Sequence, residues 1–356
     1  MKGDKYVAYV SAYTQGNTDG ILIYDVDIKN GRMEQRDKVT ITNSTYLTIS
    51  HNLKYIYSTT DLGIESFCIL PDGGLEEMNR APINGMRGCY ISTDYEDRYL
   101  FVAGYHDGKI TVLKLNEDGS VGEIVEEVFH KGFGSIAERN SRPHVSCVKM
   151  TRDNKYLCAA DLGLDHVKIY RFDSGTGKLK LADVVRCDQE SAPRLIKFRK
   201  DGKFAYVLHE MNNTIEVYSY KEENGNPVFT KQQKISTLNS YHASGSAACA
   251  LKFSIDNKYL FCSNAGDNSV GAFELDNDTG LLKKKFVLPI SGDYPKDIAL
   301  FPDTRHLVSL NHESASMTFF DVNLENNTIV MNGPELKVER GNCIVMLKVN
   351  PEKSNE

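Results

Sequence analysis

Residues 143–170 read PHVSCVKMTRDNKYLCAADLGLDHVKIY. Two apolar runs flank a polar turn, TRDNK, and an acidic loop, DLGLD, leads to a third run. The runs are short and rich in Val, Ile, Tyr and Cys, a composition that suits extended backbone packed on a pleated surface. Asp, Asn and Gly in the turns tolerate the backbone angles of tight hairpins. The stretch reads as one unit of a β-sheet protein, a hairpin followed by a further strand.

The unit recurs along the whole chain. Copies are SHNLKYIYSTTDLGIESFCI, TDYEDRYLFVAGYHDGKITVLKL, TRDNKYLCAADLGLDHVKIYRF, RKDGKFAYVLHEMNNTIEVYSY, SIDNKYLFCSNAGDNSVGAFEL and FPDTRHLVSLNHESASMTFFDV, with a partial copy, GDKYVAYVSAYTQGNTDGILIYDV, at the start. Their turn residues Lys5, Lys54, Arg98, Lys155, Lys203, Lys258 and Arg305 are spaced by 49, 44, 57, 48, 55 and 47 residues. A period near fifty with four strand-sized runs per copy is the pattern of a propeller. The expected fold is all-β, a seven-bladed β-propeller of four-stranded blades, with residues 1–356 forming a single domain. The first copy lacks its innermost run, and GNCIVMLKVNPEK near the end resembles one. Residues 342–349 are therefore expected to pair with residues 5–11, completing a last blade with residues 5–24 and covering two open sheet edges.

Composition narrows the function classes. A 41% hydrophobic fraction and 25% charged residues fit a folded core with a charged surface. The net charge of -6 argues against a general nucleic-acid binder. No apolar run approaches the roughly 18 residues of a membrane span. The opening MKGDKYVAYVSAYTQGNTDG has no continuous apolar stretch, and the expectation is a cytoplasmic protein without membrane partners. The eight cysteines form no CxxC pair and mostly sit inside apolar runs, so buried reduced thiols are expected and no metal site. No nucleotide-binding fingerprint, Walker loop or GxSxG elbow stands in a confirming context, so no cofactor is expected.

Hairpin geometry supplies candidate site residues. The start of a first run lies beside the end of the second, at one end of the ring. First-run starts contribute Arg87, His144, Arg194 and Lys296; second-run ends contribute Asp61, Tyr105, Asp161, Glu210, Asn264 and Asn311, with His106, His209 and His312 adjacent. Arg194 should face Glu210, and Asp161 should orient the His144 ring. The 57-residue spacing reflects an insertion, EEVFHKGFGSIAERNSRPHV, whose Arg139 and Arg142 are further candidates for binding an anion.

The segments PHVSCVKMTRDNKYLCAADLGLDHVKIY, APRLIKFRKDGKFAYVLHEMNNTIEVY, LKFSIDNKYLFCSNAGDNSVGAF and YPKDIALFPDTRHLVSLNHES resemble the seven-bladed propeller lactonases, which include bacterial propeller-type 6-phosphogluconolactonases and fungal carboxy-muconate cyclase. The resemblance spans essentially the whole chain. It implies a catalytic set of His144, Arg194 and Glu210, the positions already gathered at one end of the ring. It also shows departures. Ala265 stands where the family has the arginine of SNRG, and Ser146, Leu195 and Tyr90 stand where it often has histidine. Lys296 replaces an arginine, and His312 follows Asn311 where glutamine is common.

Three functions fit this reading. The first is hydrolysis of a sugar lactone, most simply 6-phosphogluconolactone in the pentose phosphate route. The base would be His144 or Glu210 and the oxyanion partner Arg194, with Arg139, Arg142, Asp161, His209, Lys296, Asn311 and His312 contacting substrate. The second is a noncatalytic propeller binding a small anion or a protein. The third is a lactonising isomerase of muconate-type acids. In the catalytic readings the partner is a small anionic lactone or carboxylate, and the expected state is a monomer.

Overall fold

The computed structural model describes residues 4–14, 19–135, 141–242 and 244–349. Its strands assemble into seven sheets. Blade 1 starts with the inner strand Leu47–Ile49, blade 2 with Tyr90–Thr93, blade 3 with Val145–Met150, blade 4 with Pro193–Phe198, blade 5 with Ala247–Phe253, blade 6 with Pro295–Leu300 and blade 7 with Gly341–Val349. In each blade the strands pair in spatial order from inner to outer, all antiparallel. Blade 7 joins Gly341–Val349 to Lys5–Ala12, Ile21–Asp27 and Arg32–Val39, with Tyr9 opposite Val345. The ring closes by the expected strand exchange. Blade 6 carries one addition: its outer strand Thr328–Met331 covers only part of the third strand, and Leu336–Lys337 pairs with the remainder at Ser316 and Met317.

Inner strands are buried on both faces, whereas outer strands such as Leu179–Arg186 present an exposed face. Hydrophobic clusters fill the wedges between blades, so packing continues around the ring.

Specific bonds also cross the wedges. The hydroxyls of Tyr9, Tyr57, Tyr156 and Tyr206 donate to the carbonyls of Gly73, Gly119, Gly225 and Gly280 at 2.9, 2.9, 2.8 and 2.8 Å. Each tyrosine lies in the second strand of one blade, and each glycine lies in the outer hairpin of the next. Three of these glycines, Gly73, Gly119 and Gly280, cannot be replaced without conflict, and the last two meet the closest contacts. Gly119 and Gly280 have φ of 86° and 69°, and a Cβ would come within 2.4 Å of Tyr55 and Phe204 respectively. Nearer the axis, thiols act as weak donors across the same boundaries. Cys147 Sγ lies 4.0 Å from the Ile196 carbonyl and Cys343 Sγ 3.9 Å from that of Leu47.

Removing one clasp hydroxyl leaves a glycine carbonyl without its buried donor. Tyr57→Phe and Tyr206→Phe should each lower stability in urea denaturation by about 1 kcal/mol, and nearly additively because the two are far apart. Gly119→Ala should cost more than either, since it adds backbone strain to a collision with the Tyr55 ring.

Candidate functional site

One irregularity of the inner strands shapes the mouth of the channel. The inner pairing of blades 3, 4 and 6 skips one residue near its start, between Val145 and Cys147, Pro193 and Leu195, and Pro295 and Asp297. The skipped residues are Ser146, Arg194 and Lys296. A bulge of this kind re-aims its side chain away from the regular alternation. All three line a cavity of about 400 Å³ at the start of the inner strands, together with Tyr13, Arg87, Tyr105, His106, Glu210 and Tyr294.

Arg194 and Glu210 form the central pair. One guanidinium nitrogen donates to Glu210 Oε2, and Nε donates to the Cys249 carbonyl at 3.1 Å. The carboxylate is 2% exposed and the guanidinium 28%, so the acid is buried behind a base that faces the cavity. This arrangement fixes the plane of the guanidinium and leaves cationic edge for a ligand.

Two more cations flank the pair. Arg87 bonds Asp61 at 2.5 Å and lies 4.9 Å from the centre of the Tyr13 ring. Lys296 Nζ lies 5.0 Å from the same ring. Burial, together with the neighbouring Arg194, pushes the Lys296 pKa down to about 8. Further in, the tilted rings of Tyr46 and Tyr90 meet at 4.2 Å between centroids, and Lys252 pairs with Asp297 at 2.9 Å.

The other sequence candidates stand elsewhere. His144 does not line the cavity. It is 6% exposed, its Nδ1 is 2.8 Å from the Tyr105 carbonyl, and its ring stacks on Tyr105 at 4.3 Å. The expected Asp161–His144 ring contact is absent among the described contacts. Asp161 accepts the His144 backbone N–H at 2.8 Å and those of Gly163 and Leu164 at 3.1 Å each. Its other oxygen meets the ring of His130 at 2.6 Å, and His130 meets Tyr170 at 3.0 Å. Burial holds the His130 pKa below its ordinary value despite that carboxylate.

Strand alternation explains these placements. Glu210 and Tyr105 each follow their hairpin turn residue, Lys203 and Arg98, by seven positions. Asp161, His209 and Asn311 stand one position earlier in their repeats, six past Lys155, Lys203 and Arg305, and that single step turns them to the opposite face of the sheet. All three are fully buried. Asn311 donates to Thr318 Oγ1 at 3.0 Å and accepts from Ser309 at 2.7 Å, inside its blade. His209 lies 3.4 Å from Glu216. His312, at the repeat position of Glu210, bonds the Gly341 carbonyl at 3.1 Å and packs by Tyr13 and Tyr294, outside the cavity lining. Arg142 is exposed and away from the lining. Arg139 lies outside the described residues.

Hairpin geometry gathers Arg87 and His106 at this end of the ring but assigns neither a part in the chemistry; the structure places both in the cavity lining. Tyr13 gives no such signal in the sequence, because it follows the second strand of the blade that closes the ring.

One further cluster has metal-ligand chemistry. Cys187, His209 and Glu216 bring ligand atoms within 4.8 Å of one another. Glu216 is already bonded by the Lys231 ammonium and by the Tyr218 hydroxyl at 2.5 Å. Burial works to raise its carboxyl, and the bonds from His209, Lys231 and Tyr218 hold it down at about 2. A dication would have to displace the ammonium, so these residues fit a structural ion pair better than a metal.

Comparison with known proteins agrees with the geometry. A 6-phosphogluconolactonase from Bacillus subtilis is 28% identical over 349 residues, covering 96% of this chain and 99% of that protein. The solved structure of a periplasmic gluconolactonase from Pseudomonas aeruginosa superposes with a TM-score of 0.90 at 25% identity, covering 97% of this chain and 99% of the other. A Lactobacillus plantarum protein matches with a TM-score of 0.86, also at 25% identity, over 97% of this chain and all (100%) of its own. The family model described as lactonase, 7-bladed beta-propeller, matches residues 7–346. With its ring of seven blades and its cationic channel mouth, this chain belongs to the seven-bladed β-propeller lactonase family.

Proposed function

We propose that the protein hydrolyses an anionic sugar lactone, with 6-phosphogluconolactone as the substrate. The observation that carries this reading is the Arg194–Glu210 pair facing a cavity that also presents Arg87 and Lys296. The name of the Bacillus subtilis relative supports the choice of substrate.

In this scheme Arg194 binds the lactone carbonyl oxygen and stabilises the oxyanion that forms when water adds to the carbonyl carbon. Glu210 holds the guanidinium in place and is a positioning residue, since its carboxylate is engaged in that bond. Among the described residues His106 is the histidine lining the cavity, and it takes the proton of the attacking water. The tetrahedral intermediate then expels the ring oxygen, which accepts a proton, and the product is the open hydroxy acid. His144 supports the site by ordering Tyr105. Lys296 and Arg87 hold the phosphate. No step calls on a cofactor.

The test is the decay of freshly generated 6-phosphogluconolactone, with the spontaneous rate subtracted. Wild-type protein should accelerate it. Arg194→Ala should lower kcat by about 10²–10³-fold, and His106→Gln by about 10²-fold or more. Glu210→Gln should reduce activity less than Arg194→Ala while circular dichroism stays unchanged. No acceleration by the wild type would overturn this substrate, and ligand binding without turnover would assign the cavity to capture.

The charge on Lys296 gives a pH test. Its pKa is lowered in the folded protein, so its positive charge is present below about 8 and lost as pH rises through that value. Binding of 6-phosphogluconate, followed by calorimetry, should weaken by about tenfold between neutral pH and well above 8. Lys296→Arg should flatten that dependence, and Lys296→Met should bind weakly throughout.

A further inference from the structure

The far end of the channel has its own charge pattern. A second cavity, of about 480 Å³, opens among residues at the turns of the inner hairpins, including His51, Ile255 and Pro302. These lie at the opposite ends of the inner strands from Arg194 and Lys296. Its lining includes Lys149, Lys197 and Lys252 and contains no carboxylate. Lys197 and Lys252 also border the floor of the first cavity, whereas Lys149 faces only the second.

The three lysines come from the inner strands of blades 3, 4 and 5, which are adjacent in the ring. They share one register, opposite Cys158, Tyr206 and Phe261 of the second strands. Side chains at one register of neighbouring inner strands point together toward the axis.

Their partners are unequal. Lys252 has Asp297 at 2.9 Å and the Ile344 carbonyl at 3.2 Å. Asp297 Oδ2 also accepts the Ile344 N–H at 2.9 Å, so this carboxylate is occupied. Among the described residues Lys197 bonds a neutral hydroxyl, that of Tyr90, at 3.2 Å. Lys149 has no hydrogen bond or ion pair among the described residues, and its nearest charge-seeking contact is the Tyr95 ring at 6.0 Å. The charged or titratable groups around Lys149 are Lys197, Arg152, Cys147, His51 and Tyr95. None is an acid of ordinary strength.

Two part-buried ammonium groups, Lys149 without a carboxylate beside it and Lys197 near only the Asp297 that Lys252 already holds, are costly to keep charged. Burial, Lys197 and Arg152 push Lys149 down to about 7, and burial and Lys252 lower Lys197 as well. A small oxyanion between the two would remove that cost.

We infer that Lys149 and Lys197 form a second anion site, entered from the hairpin-turn face of the channel, for a phosphate-type oxyanion. The ion is free phosphate or a small phosphate monoester, and its site is separate from the Arg194–Glu210 pair. The inference does not rest on lactone hydrolysis.

The experiment titrates the full chain with inorganic phosphate, and in a second arm with glycerol 3-phosphate, at constant ionic strength set with chloride. Binding is followed by calorimetry. Affinity should fall about tenfold or more in Lys149→Met and in Lys197→Met and survive in Lys149→Arg, while any phosphate held by Arg87 and Lys296 in the first cavity persists in Lys149→Met as a separate event. In the wild type, phosphate should also slow reductive methylation of Lys149 relative to exposed Lys258, a readout that needs no variant to fold. Protection by inorganic phosphate alone selects the free ion; protection by the ester as well admits monoesters. The inference is overturned if millimolar phosphate neither binds nor protects Lys149. It is equally overturned if binding is lost in Arg194→Ala and kept in Lys149→Met, which would place the ion in the other cavity.

Discussion

A four-stranded sheet has two raw edges, and a ring of such sheets holds only if each blade is fastened to the next. Here the fastening is partly directional. Tyrosine hydroxyls from second strands reach glycine carbonyls in the following blades, and inner-strand thiols and hydroxyls reach neighbouring carbonyls closer to the axis. Apolar filling of the wedges contributes most of the burial, but it does not fix the angle between sheets. Buried bonds with one geometry do, because an unmet carbonyl in a dry wedge is penalised. The pairing of Gly341–Val349 with Lys5–Ala12 then makes the seventh wedge equivalent to the rest. A rigid ring is the condition for a site whose parts come from separate blades.

The site depends on a local departure from that regularity. A perfect strand would alternate its side chains between the sheet faces, and the first inner residue of each blade would have no reason to look along the channel. One skipped residue per inner strand frees Ser146, Arg194 and Lys296 from the alternation. The same device in several blades turns a repeated fold into a set of converging groups. Glu210 completes it from just past the second strand, buried enough to anchor the guanidinium. Ala265 occupies the position equivalent to Glu210 in blade 5, seven residues past its turn lysine. The cavity keeps a cationic character without an arginine there, through Arg87 and Lys296.

The fold was legible because it is written seven times. Turn residues, apolar runs and a period near fifty agree with one another, and a misread strand in one copy is corrected by the others. Site residues lack that redundancy. Arg194, Glu210 and Lys296 could be found from hairpin geometry, because the ends of paired strands are brought together whatever their exact register. Asp161, His209 and Asn311 fall on the buried face of the sheet, because one residue of register inverts the face of a strand, and strand ends read from a single sequence are no sharper than that. His144 and Arg194 both stand at first-run starts, but not at equivalent positions. Counted from the turns, His144 aligns with Ala192, and Ser146 with Arg194. The bulges themselves leave no signature in a single sequence, so no count along the chain could assign them.

The charge distribution shows why an acidic chain can still serve anions. Net charge is -6, yet the two cavities together are lined by Arg87, Lys149, Arg194, Lys197, Lys252 and Lys296. Against these stand Glu210 and Asp297 in the lining, with Asp61 beside Arg87. Each of those acids already holds one cation, so the remaining positive field belongs to Lys149, Lys197 and Lys296. The low-dielectric blades that wall the channel lengthen the reach of that field. The acidic outer surface is screened by salt within about 10 Å and scarcely opposes it. An anion near either mouth therefore responds to the lysines of the channel rather than to the sign of the whole protein.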